Sequence, residues 1–292
     1  MITSATKFGS SVSLLKSSGL LLALSGVAHF VIWLFAGGDW EGPVSWRKPI
    51  LFGVSTGVTV LSVAWLYPKL RPRRWDAVLC GLFGFAMVAE VALITIQQWR
   101  GLPSHFNYTT TLDAFIESAM TYCIVIVTLV LTEFTRRCFC NLNAPDDLKL
   151  AIRGGMAFLI LSCLIGFLIL FYGNAQVSIN ADPTAVGRAG VAKFPHGVAI
   201  HAIQFFPLVC VCLRKISISS RRRVRYMRFC IASTGTFLIF SVHQTLNGRD
   251  RFDLEPIGMI LIFGSALLLL PIIFAIVKKL MQRTVRAIKS AT

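Results

Sequence analysis

Acidic residues are scarce in this chain. Of 292 residues only 13 are Asp or Glu, against 29 Lys and Arg, and charged residues of both signs make up 14%. A soluble domain is about 25% charged and about 45–50% apolar. Here 55% of residues are hydrophobic and the mean hydropathy is +0.70, which excludes a soluble enzyme with one core and a disordered or collagen-like chain. Several motifs are also missing. No Gly-rich phosphate loop occurs, which argues against ATP use, and His-Glu-x-x-His is not found. The net charge of +16 does not require a nucleic-acid partner, because the basic residues of membrane proteins collect in cytoplasmic segments.

What the chain has instead is long apolar runs. A spanning helix needs about 20 mostly apolar residues. Eight runs qualify, at 17–36, 49–67, 76–97, 113–132, 151–172, 197–213, 228–246 and 257–277. The first is longer than a signal-peptide core and ends in no clean cleavage site, so it is read as a helix. The expected fold is all-α: one polytopic integral membrane domain over 1–292, with about eight transmembrane helices and halves at 1–140 and 141–292.

Eight spans return both termini to one side. Of the 29 Lys and Arg, 22 fall in the segments on that side or at the adjoining helix ends. Such a bias marks the cytoplasmic face. Both termini are expected in the cytoplasm and the protein in a plasma membrane of the bacterial inner-membrane kind, with membrane lipids as partners. All eight cysteines lie within spans or near the basic face, where thiols stay reduced, so no disulfide is expected. Trp40, Trp46 and Trp99 sit at the opposite, outer ends and fit an interfacial aromatic belt.

The halves carry a weak likeness. The third span ends Gln97-Gln-Trp-Arg-Gly101 before Asp113, and the seventh ends His243-Gln-Thr-Leu-Asn-Gly-Arg249 before Asp253. Four spans per half would give a parallel repeat about an axis along the membrane normal.

The most informative pattern is the depth of the polar residues. At 1.5 Å per residue, His29 and Glu90 lie about 10 Å below the outer ends of their spans and Glu117 about 6 Å. His201, Gln204, His243 and Gln244 also fall in the outer half, whereas the inner half offers mainly Cys, Ser and Thr. Ionisable groups in hydrocarbon are costly and mark functional sites. The candidate ligand-binding set is therefore Glu90, Glu117, His201, Gln204, His243 and Gln244, with Arg47, Arg100, His105 and Asn107 at the mouth. Glu90, His201 and His243 are expected to face the bundle interior.

Three readings stay open. The first is a membrane protein that binds or moves a small or amphiphilic ligand, anionic on account of the basic mouth, with His and Glu relaying protons. The second is an oxidoreductase holding a b-type haem or a divalent metal on His201 and His243, two histidines at similar depth on neighbouring spans. The third is a membrane-embedded hydrolase acting on lipid, for which Ser104-His105 is the only adjacent pair. Eight spans in 292 residues, in two halves of four, resemble the architecture of haem A synthases. That family's Glu-x-x-x-His-Arg signature and its ligands on even-numbered helices have no counterpart here, so the resemblance implies no activity.

Overall fold

Apolar runs separated by short polar breaks leave the backbone of each run one way to satisfy its hydrogen bonds in lipid, which is to close them within a helix. The computed structural model describes residues 4–291, with the side chains of 1–8, 283 and 285–292 outside the described set; Lys7, Arg283, Arg286 and Lys289 of the orientation count fall there. Among the described residues, eight helical segments are long and apolar enough to cross a membrane. The chain divides into two compact units, Met1–Asn143 and Ala144–Thr292.

The first unit holds α1 (Ser4–Ala36), α2 (Arg47–Leu66), α3 (Asp76–Trp99) and α4 (Thr111–Cys140), with one 3-10 turn, Tyr67–Lys69, closing α2. α1 lies along α2, and α3 packs on α1, α2 and α4. The α1–α2 contact is a small-residue crossing. A Cβ on Gly26 would stand 2.6 Å from the Val54 nitrogen, and one on Gly57 2.6 Å from the Ala23 nitrogen. Gly53-x-x-x-Gly57 on α2 thus lets two backbones touch, which is how helices associate when lipid removes the hydrophobic drive. At the other end of α3, Asp76 and Arg137 form a buried pair, Nη1 to Oδ1 2.7 Å, and Arg137 also donates to the Arg71 carbonyl at 2.6 Å.

The second unit holds α5 (Asp146–Ser178), a two-residue antiparallel hairpin of β1 (Ala185–Val186) and β2 (Gly190–Val191), then α6 (Lys193–Ile200), α7 (Ala202–Lys215), α8 (Ser220–Leu246) and α9 (Pro256–Ala291). α5 packs on α6 and α7, α8 on α5, α6 and α7, and α9 on α8. Ser233 and Ser265 tie α8 to α9 by exchanging bonds, each hydroxyl donating to the other's carbonyl at 2.8 and 2.9 Å. Asp147, fully buried at the start of α5, accepts from Arg214 and Arg223.

Two features depart from the sequence expectation. The helices outrun their apolar cores: α5 begins at Asp146 and α8 at Ser220, because charged residues at these ends are carried by ion pairs that hydropathy does not register, as between Asp147 and Arg223. The sixth run is two helices, broken at His201, with Gly197 before the break and Pro207 after it; both residue types weaken a helix interior. Among the described residues no disulfide links any of the eight cysteines.

Candidate functional site

The site is built around the connection between α3 and α4. α3 ends in a left-handed glycine: Gly101 has φ 69° and donates to the Gln98 carbonyl, while Leu102 donates to that of Gln97, both at 3.0 Å. This pairing closes the orphan carbonyls of a helix end. α4 then starts with a cap. The Thr110 hydroxyl accepts from the Asp113 backbone N–H at 3.1 Å and donates to the Asp113 carboxylate at 2.7 Å. Asp113 also draws the end of α3 onto the start of α4, taking bonds from Gln97 Nε2 at 3.0 Å and Arg100 Nη1 at 2.7 Å. Arg100, expected at the mouth of the site, is thereby committed to Asp113.

With its ends tied, segment 100–110 folds back over the unit as a strap. Asn107 fixes its turn, accepting from the Thr109 hydroxyl at 2.7 Å and donating to the Pro103 carbonyl at 3.3 Å. Phe106 takes the left-handed conformation, φ 59°, which a non-glycine residue adopts at a cost of roughly 1–3 kcal/mol. The result is that its backbone N–H reaches the Glu117 carboxylate. His105 points its Nε2 at Glu90 Oε1, 3.9 Å away, holds Ser104 Oγ at 2.9 Å through Nδ1, and lies beside the Phe52 ring of α2.

Beneath the strap are the two carboxyl groups. Glu90 of α3 is 9% exposed and Glu117 of α4 is 3% exposed, and they lie within electrostatic reach of one another. Lys48 of α2 acts on Glu117, and Glu90 acts on Cys123 of α4. Glu90 Oε2 and Glu117 Oε2 are both buried without a hydrogen-bond partner. An unsatisfied buried oxygen costs about 1–3 kcal/mol, more when charged. Two side by side are poised to take a proton or another donor.

The remaining candidates separate from this group. Arg47 pairs with Glu41 at 2.6 Å in the exposed 37–46 loop. His29 accepts from Trp99 Nε1 at 3.2 Å and lies 2.7 Å from the Ser25 carbonyl through Nδ1. In the second unit, His243 Nε2 lies 2.7 Å from Glu255 Oε1. Gln244 is fully buried and donates to the Asp250 and Asp253 carbonyls. Gln204 is half-buried.

His201 corrects an expectation. It does not face the interior of its unit but is exposed, because it sits at the α6–α7 joint between buried Ala199 and Ala202. Of the two histidines considered for a haem or metal, His201 is thus exposed and His243 presents its Nε2 to Glu255. Among the described residues no group of three or more His, Cys, Asp or Glu forms a metal site.

Sequence reasoning overlooked Glu255 and Phe106. Glu255 had a signal: it precedes Pro256 at the start of α9, where a carboxylate caps free N–H groups. It accepts from Ile257 and Gly258 at 3.0 and 2.8 Å. Burial raises the Glu255 carboxyl, but those two N–H groups and His243 outweigh it and hold it below the usual carboxylate range. Phe106 had no signal, because a left-handed phenylalanine is imposed by the closure of the strap.

Comparison of the chain with protein-family models, curated proteins and solved structures finds no match.

Proposed function

We propose that this is a multi-pass plasma-membrane protein, with both termini in the cytoplasm, that binds a small ligand in a proton-linked way at the Glu90–Glu117 pair. The strap-covered end of the first unit then faces outward. One observation carries the reading: each of these two buried carboxyl groups keeps an oxygen with no partner. Two carboxyl groups in a low-dielectric site need a compensating proton or cation. Lys48 and His105 supply part of that, and a proton or a hydrogen-bond donor on the ligand supplies the rest. Two acids at the centre favour a cationic or neutral donor ligand over the anionic one suggested by the basic mouth. The strap then acts as the cover, since both of its contacts, His105 to Glu90 and Phe106 N–H to Glu117, end on the groups that change charge.

The test is infrared difference spectroscopy of the full protein in lipid across a pH titration. A carboxyl C=O band that titrates in the wild type, and is lost in Glu90→Gln and Glu117→Gln, is the expected result. A wild-type band retained in both variants would overturn the assignment.

A second reading is favoured by the line Ser104 Oγ, His105, Glu90, at 2.9 and 3.9 Å. Ser, His and an acid in sequence are the parts of an acyl-transfer site. Ser104 Oγ would attack an ester carbonyl as its proton passes to His105. The alcohol would leave with that proton, and water would release the acid. Labelling of Ser104 by a fluorophosphonate, absent in Ser104→Ala, would support this reading; an unlabelled wild type would remove it.

A further inference from the structure

We propose that the ends of α1 and α2 away from the strap form a binding groove for an anionic phospholipid, with an acyl chain against the two helices and the phosphate on Lys16. The groove follows from the crossing. Gly19 and Gly26 of α1 meet Gly57 and Gly53 of α2 with no room for a Cβ; one on Gly19 would stand 2.8 Å from Leu61 Cγ and 3.0 Å from the Gly57 carbonyl oxygen. Past Gly19, toward the start of α1, a groove of about 300 Å³ opens, lined by Lys16, Leu20, Leu61, Ala64, Trp65 and Pro68.

Its walls are apolar and its edge is cationic. Neither α1 nor α2 contains an acidic residue, so Lys16 has no acid on either helix that forms the groove. Lys69 stands at the same end. Its ammonium lies 3.8 Å from the Trp65 ring centroid and donates to the Trp65 carbonyl at 2.9 Å, leaving two of its three N–H groups for another acceptor. An anion for Lys16 therefore has to come from outside these helices, and the apolar wall selects one that carries a chain. Leu20 and Trp65 are 52% and 41% exposed, surface that an acyl chain would cover. A zwitterionic lipid offers the chain without the net charge, and a soluble phosphate the charge without the chain.

The experiment counts lipids retained by the full-length protein after extraction from vesicles of phosphatidylcholine and phosphatidylglycerol, by native mass spectrometry. Selective retention of phosphatidylglycerol is expected. Lys16→Gln, a change at an exposed position, should lower that selectivity roughly fivefold, the weight of one basic residue at a lipid surface. Leu20→Trp, at an exposed position lining the groove, fills it and should lower retention of both lipids. Soluble glycerol phosphate should displace neither. Equal retention of the two lipids, unchanged selectivity in Lys16→Gln, or displacement by glycerol phosphate would each overturn the proposal.

Discussion

Gln97 and Gln244 hold the same position in their helices: each lies four residues before a left-handed glycine, Gly101 or Gly248, is fully buried, and donates its Nε2 to the segment that follows. Each also gives its backbone carbonyl to the residue after that glycine, Leu102 or Arg249. The third and seventh spans therefore end by one device, which locks the next connection in place. Replacing either glutamine by leucine should cost about 1–3 kcal/mol, because the acceptors on Asp113 or on the 250–253 backbone lose their donor in a buried place. Thermal unfolding in detergent checks this; two variants as stable as wild type would show the amides to be incidental.

Asp76 and Arg137 are both nearly inaccessible, 4% and 2% exposed. Removing one partner of such a pair strands a buried charge. Arg137→Met should destabilise by about 3–5 kcal/mol, and adding Asp76→Leu should recover much of it. A double variant no better than the single one would show that the Arg71 carbonyl bond is the larger loss.

The α1–α2 crossing leaves no tolerance for volume. Gly26→Leu and Gly57→Leu should each separate the helices and lower expression and melting temperature, whereas Gly9→Ala, with nothing within 4 Å of a new Cβ, should be neutral. Overpacking typically costs about 1–3 kcal/mol. Wild-type behaviour of both leucine variants would mean that the helices do not cross there.

Glu255 sets a pH dependence whose sign is fixed by its depressed carboxyl. The folded state binds that proton less readily than the unfolded chain, so the stabilisation is complete above the ordinary glutamate value of 4.5. It is lost as pH falls through the depressed range. The melting-temperature gap between wild type and Glu255→Gln should be full near neutral pH and close in acid. A gap constant with pH would assign the effect to shape alone.

A reporter active only in the cytoplasm, fused to the C-terminus, should be active, and one inserted in the 37–46 loop should be silent. The reverse pattern would invert the proposed topology.

The amino-acid sequence by itself determined the eight spans. Membrane insertion is decided locally, run by run, and in lipid a helix needs no partner to satisfy its backbone. It also marked the depth of Glu90, Glu117 and His243, since depth is only a count of residues along a helix. Which of those residues meet is another matter. Glu90 and Glu117 converge because α3 packs on α4, and His243 is claimed by Glu255, twelve residues on, through the capped start of α9. His201 turns outward because the sixth run breaks beneath it. Each outcome depends on rotation about a helix axis, which hydropathy does not specify. Backbone contact at Gly26 and Gly57 fixes it for α1 and α2, and the strap at Phe106 ties it down beside Glu117; both exist only once the helices are packed.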